Sequence, residues 1–174
     1  MEFPTAYTAN KKLINVIIET PCKSHNKFDY DNETGLFKLK KIMPPGLFFP
    51  CDMGFIPNTK GEDGEPLDAL VLMDEYTYPG CLIECRLLGV IEATQKERKS
   101  ISFRNDRFVF VPPQIQEPVY LKNILNLNES KLRSIITFFQ TYNAFEDKIF
   151  KVEKISGVKK AHQLIKKQLV KKQA

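Results

Sequence analysis

A chain of 174 residues, 43% hydrophobic, with 26 basic against 21 acidic side chains and a net charge of +5, has enough material for one well-filled core. No composition shift, repeat or low-complexity stretch divides it, so a single domain over residues 1–174 is expected. Its apolar runs, such as Ala69–Met73, fall far short of the roughly 20 residues a membrane helix needs. Met1-Glu2-Phe3-Pro4 lacks the basic and apolar segments of a secretory signal, so a cytoplasmic location without a membrane partner is expected.

Residues 1–12 show no period and read as an arm over the surface. Leu13–Glu19, rich in Ile and Val, reads as a strand that carries Glu19 to its exit and ends at Thr20-Pro21. Asn26–Tyr30 alternates, placing Lys27 and Asp29 on one face and Phe28 and Tyr30 on the other. Asp31–Gly35 is then a turn and Leu36–Ile42 the returning strand of a hairpin. Pro44-Pro45-Gly46 stops it, and Leu47–Pro57, dense in Phe and Pro, reads as core-forming irregular structure or a short strand.

Gly61-Glu62-Asp63-Gly64-Glu65-Pro66-Leu67-Asp68 leads into the run Leu67–Met73. A left-handed turn at Gly64 lets the acids at 63, 65 and 68 point together. Carboxylates so gathered repel unless a cation lies among them, and oxygen-only ligands favour a hard divalent ion such as Mg²⁺. A solvated acidic turn has the same composition, so the loop does not decide by itself. The alternating ligands and closing glutamate of an EF-hand loop are missing.

Tyr78-Pro79-Gly80 is a turn before the long strand Cys81–Ile91. Glu92–Ser100 reads as a polar connection, and Ile101–Phe103 and Arg107–Val111 as strands stopped by Pro112-Pro113. Leu121–Leu127 and Glu129–Glu146 have helical spacing, with Leu132, Ile135, Ile136, Phe139 and Tyr142 near one stripe and Asn128 placed as N-cap. Lys148–Ile155 is a strand, and Gly157 opens a basic C-terminal helix over 157–174. Its Val158, Ala161, Leu164, Ile165 and Leu169 can pack while the lysines stay wet. Short strands with late helices predict a fold that is mainly β with flanking α-helices, a small barrel covered by helices.

From Lys151 onward, eight lysines face one glutamate, so the tail carries +7 and the preceding 150 residues −2. A solvated lysine face is expected there; no aromatic residue interleaves the lysines as a stacking platform, and no nucleic-acid partner is expected. Cys22, Cys51, Cys81 and Cys85 form no CxxC pair and suit free thiols in a reducing compartment. With only His25 and His162, a zinc site of nitrogen and sulfur ligands is not expected.

Val16-Ile17-Ile18-Glu19-Thr20-Pro21, Asn26-Lys27-Phe28-Asp29-Tyr30-Asp31, Gly35-Leu36, Gly54-Phe55-Ile56-Pro57-Asn58-Thr59 and Glu62–Asp68 together, in this order and spacing, resemble the family I soluble inorganic pyrophosphatases. Phe138-Phe139-Gln140-Thr141-Tyr142 is similar to that family's later helix motif, so the resemblance covers nearly the whole chain. It implies a five-stranded OB-type barrel with flanking helices, a cytoplasmic homo-oligomer (a hexamer in bacterial members of this length), and Mg²⁺-dependent hydrolysis of pyrophosphate, with Mn²⁺ as a substitute. By position, Asp63 and Asp68 correspond to metal-binding aspartates and Glu65 to the aspartate thought to act as base. Lys27 and Tyr142 correspond to phosphate-binding residues, and Glu19 and Asp29 to outer acidic positions.

Departures from that pattern are equally specific. Met53 replaces a tyrosine, Lys41 an arginine, Asn143 a lysine, and Asp29 a glutamate. Counting forward from Gly89 puts Gln95 at one metal-binding aspartate; counting back from Val111-Pro112 puts Asn105 at another and Arg107 at a lysine that binds phosphate. Asp106 is an alternative ligand, but residues 105 and 107 share a strand face and 106 points away. The loop between is longer than the family's and basic, with Lys96, Arg98, Lys99 and Arg104. Two amides in place of two carboxylates imply weaker binding of at least one metal ion, and Glu65 carries its oxygens one methylene further out. The resemblance thus supports a pyrophosphatase with reduced activity or altered metal preference, with a silent phosphate- or pyrophosphate-binding relative as the alternative.

Overall fold

The computed structural model describes residues 3–97, 101–113 and 121–170. Nine strands and two α-helices follow in the order β1 (Ile14–Thr20), β2 (Asn26–Asp31), β3 (Leu36–Ile42), β4 (Asp52–Ile56), β5 (Leu67–Val71), β6 (Leu82–Glu97), β7 (Phe103–Arg104), β8 (Arg107–Val111), α1 (Glu129–Ala144), β9 (Lys148–Gly157) and α2 (Val158–Lys167). Strand β1 pairs with β4, β4 with β5, β5 with β8, β8 with β6, and β6 back with β1, which closes a ring of five. Only the β5–β8 pair is parallel. The ring is of the OB type, and full closure leaves it no free edge.

The strands of the ring are buried on both faces, which explains their near-continuous apolar character. Ala69, Val71, Phe108 and Phe110 pack with Val16, Val90 and Ile165 of α2. Their neighbours in the same strands, Leu70, Val109 and Val111, pack instead with Phe49 and with Ile135, Phe138 and Phe139 of α1. Asn128 caps α1 by accepting from Ser130 and Lys131 N–H, as expected. Gly54 lies where β1 and β4 approach most closely: a Cβ there would stand 1.9 Å from the Ile17 carbonyl oxygen.

Several boundaries differ from the expectation. The segment expected as a polar connection continues β6 to Glu97, because β9 pairs along it from Gly89↔Gly157 to Glu97↔Lys148. Its polar side chains have partners: Glu92 accepts from Ser156 and Arg104. Only Ile124–Asn126 of the expected helix at 121–127 is helical, as a single 3-10 turn capped by Asn123. Helix α2 ends at Lys167, and Leu169 leaves it to bridge Thr59, with Lys60 N–H donating to the Gln168 carbonyl. The Phe- and Pro-rich passage contains a regular strand, β4. Of the expected features, residues 1–2 of the arm, the basic loop residues 98–100, and 171–174 of the tail lie outside the described residues. Among the described residues no helix is long and apolar enough to cross a membrane.

Candidate active site

Parallel pairing of β5 with β8 sets Asp68 directly beside Arg107. Arg107 opens β8 and Asp68 is the second residue of β5, at the end of the ring where the hairpin β2–β3 and the acidic loop meet. A cleft of about 730 Å³ lies there, and Glu19, Lys27, Asp29, Asp63, Glu65 and Asp68 all reach it. Six positions spread over three segments of sequence are thus gathered by topology.

Local chemistry places each one. Gly64 takes φ +88°, the left-handed turn expected of it. Asp63 Oδ1 accepts from Glu65 N–H at 3.1 Å and closes the turn, leaving Glu65 exposed at the cleft rim. Glu19 Oε1 accepts from Tyr30 N–H at 2.8 Å, tying β1 to β2. Lys27 and Asp29 share a face of β2 as expected, and their side chains pair. A bulge inserts Lys40 between the pairs Lys27↔Lys41 and Phe28↔Leu39.

The electrostatics of the cleft are set chiefly by burial. Burial pushes Glu19 up to about 8 against the opposing Tyr30 hydrogen bond. Burial also holds Asp63 above the usual carboxylate range, and Asp68 likewise, although Arg107 and Lys27 pull Asp68 down. Burial disfavours the Lys27 ammonium, but Asp29 outweighs it and the net shift is upward. Among the described residues no three acidic, His or Cys groups meet at one point. The expected convergence of Asp63, Glu65 and Asp68 is therefore not formed: they line the cleft, Asp63 held by its own turn and Asp68 drawn to Arg107. This oxygen-only set still fits a hard cation, since Mg²⁺ is commonly held by one or two carboxylates, several waters and substrate phosphates.

The remaining expected residues are placed less uniformly. Arg107 is buried, donates from Nη1 to Asp68 and to Asn105, and lies over the rings of Phe139 and Phe150. Asn105 Nδ2 donates to Gln95 Oε1 at 2.9 Å, so these two amides face each other behind Asp68 and not into open cleft. Asp106 does point away, accepting from Arg104 at 2.7 Å and from Ala93 N–H at 3.0 Å. Lys41 pairs with Glu146 and sits 5.2 Å from the Tyr142 ring centroid, outside the cleft lining. Tyr142 packs on the core through Phe49 and Phe138, while its hydroxyl reaches Glu146 at 3.4 Å. Met53 is buried at the cleft floor, and Asn143 turns inward to donate to the Phe139 carbonyl at 2.8 Å.

The structure adds residues that the sequence reading did not select. Lys38 and Lys40 reach the cleft from β3, and the alternation of lysines along Lys38-Leu39-Lys40 is the signal that could have found them. Glu146 organises Lys41, Tyr142 and Lys148 at the end of α1. No local pattern distinguishes it from any other surface glutamate.

The inorganic pyrophosphatase family profile matches residues 16–173. The chain belongs to this family. A Synechocystis inorganic pyrophosphatase is 36% identical over 140 residues, 80% of each chain. One from Halalkalibacterium halodurans is 34% identical over 157 residues, 88% of this chain and 91% of its own. The crystal structure of inorganic pyrophosphatase from Thermus thermophilus superposes with a TM-score of 0.85 at 30% identity, covering 95% of this chain and 93% of that one. The fold described above is thus shared with that pyrophosphatase over nearly the whole chain.

Proposed function

We propose that this cleft hydrolyses inorganic pyrophosphate to two phosphates with the help of divalent cations, Mg²⁺ in the first place and Mn²⁺ as a substitute. The carrying observation is an oxygen-only acidic edge, Asp63, Glu65 and Asp68, together with the cation Lys27 in one cleft, with Arg107 paired to Asp68 just behind the lining, in a chain matched to the family over residues 16–173.

Pyrophosphate is a compact polyanion, so an attacking water must approach a centre screened by negative oxygens. A divalent cation bound through Asp63 and Asp68 supplies offsetting charge and a more acidic water. Glu65, free at the rim, accepts the proton of the attacking water. Lys27, kept protonated by Asp29, and Arg107 hold phosphate oxygens in line. Lys41 and Tyr142 reach the substrate from α1's side when Lys41 exchanges Glu146 for phosphate. Glu19 and Asp29 orient Tyr30 and Lys27 from behind. Gln95 and Asn105 contribute no charge, so metal is held more weakly, and turnover is slower or its metal preference shifted. A silent binder is the less favoured reading, because Asp63, Glu65 and Asp68 still present carboxylates to the cleft.

A cytoplasmic homo-hexamer accompanies this reading. The exposed Leu36, Leu39 and Ile42 of β3 support association, since they offer apolar surface a second copy would cover; light scattering of the purified protein tests it. The function itself is tested by phosphate release from pyrophosphate, titrated with Mg²⁺ and then Mn²⁺ beside a Glu65→Ala control. Release that needs metal and collapses in the control is expected. Equal release by both proteins would sink the reading.

A further inference from the structure

The inner wall of the cleft carries Asp68, and its countercharge lies just behind the lining. Asp68 brings one negative charge and Arg107 one positive charge, and the register of β5 and β8 places them side by side. The groups behind them, Asn105 and Gln95, are amides locked to each other by the 2.9 Å hydrogen bond and cannot ionise. Asp106, the carboxylate between Asn105 and Arg107 in sequence, is turned into Arg104 and the Ala93 N–H.

Arg107 is also enclosed. It is 4% exposed, and its Cζ lies 4.9 Å from the Phe139 ring centroid and 5.3 Å from that of Phe150. A guanidinium is weakly hydrated and stacks on aromatic rings, which suits it to this place. Among the described residues its Nε has no hydrogen-bond partner, so the group is positioned by the rings and by Nη1 on Asp68 and Asn105.

We propose that Arg107 is a built-in cation that takes the inner place of a divalent ion. It neutralises Asp68 from behind, so that metal loads only on the outer side of the cleft, through Asp63 and the Asp68 oxygen that Arg107 does not hold. The positive charge that steadies the inner phosphate is then covalently part of the chain, and does not depend on free metal. This assignment deepens the pyrophosphatase reading and rests on it only for the fate of the phosphate; the metal inventory stands independently of turnover.

The test is the binding of Mn²⁺, followed by the electron paramagnetic resonance of the free ion, to the purified full chain without pyrophosphate. Arg107→Met keeps most of the side-chain volume and removes the charge beside Asp68. At the effective dielectric of a half-open site, that should tighten Mn²⁺ binding by on the order of 10-fold, while turnover falls. The pair Gln95→Asp and Asn105→Asp, made together, gives the inner wall net negative charge and is expected to bind one additional Mn²⁺ per chain. Unchanged or weaker Mn²⁺ binding by R107M would overturn the proposal and leave Arg107 a substrate contact or a strut. Should R107M prove unfolded by circular dichroism, the double aspartate variant decides, and an unchanged metal count overturns it. Because no pyrophosphate is present, that failure leaves the hydrolytic reading standing, whereas absent turnover in the parent protein would sink the hydrolytic reading alone.

Discussion

Replacing Gly54 by alanine should damage this protein more than any comparable change at its surface. The added methyl would lie 1.9 Å from the Ile17 carbonyl oxygen, 2.7 Å from its carbon and 2.8 Å from Ile18 Cα. All three are backbone atoms of β1, so no side chain can rotate aside and the strands must part by more than about 1 Å. That separation weakens the pairing around Ile17↔Phe55 and Ile18↔Gly54. Two weakened ladder hydrogen bonds at about 0.5–1.5 kcal/mol each, added to about 1–3 kcal/mol for overpacking, give a loss of about 2–6 kcal/mol. For a chain of this size about 2–4 °C is lost per kcal/mol, so Tm should fall by roughly 10 °C in differential scanning calorimetry. The damage should also reach the site, because β1 delivers Glu19 and β4 delivers Met53 and Phe55 to the cleft. A folded variant within about 2 °C of the parent would refute this account of the β1–β4 contact.

Stability should depend on pH through Glu19. Its folded pKa, about 8, lies above the ordinary 4.5, so its contribution is complete below the ordinary value and is lost as pH rises through the folded one. Chelator-treated protein should therefore unfold at lower urea at pH 8.5 than at pH 5, and Glu19→Gln should flatten that difference; an equal slope in the variant would assign it elsewhere. Asp106→Asn keeps an oxygen for the Ala93 N–H but turns an amide N–H₂ toward Arg104 and breaks that ion pair, leaving Arg104 with Glu92. It should cost about 1–2 kcal/mol of stability with Mn²⁺ affinity unchanged, whereas a tenfold fall in affinity would make Asp106 a ligand.

The sequence was most informative where local geometry suffices. Gly64 needed only its left-handed turn, and Lys27 and Asp29 needed only the period of a strand to share a face. Asn105 and Arg107 likewise point together, and Asp106 away, as period two requires. What the sequence could not display depends on partners distant in the chain. Glu92 looks like a loop residue until Ser156 and Arg104 enclose it, and the second half of β6 exists because β9 pairs with it some fifty residues later. Lys41 has the charge of a phosphate ligand, yet Glu146 at the end of α1 holds it outside the cleft. The acids at 63, 65 and 68 are close in sequence, but Arg107 arrives from β8 to claim one of them. Ring closure through β1–β6 has no local signal at all.

The central claim is that this cleft breaks a phosphoanhydride bond, and the most direct measurement is the ³¹P NMR spectrum of pyrophosphate incubated with the purified protein and Mg²⁺. The account predicts loss of the pyrophosphate resonance, with two orthophosphates formed for each pyrophosphate consumed, no change when metal is chelated, and none with Glu65→Ala. A pyrophosphate signal that broadens on binding but persists in full, with Mg²⁺ or Mn²⁺ in excess, would contradict it.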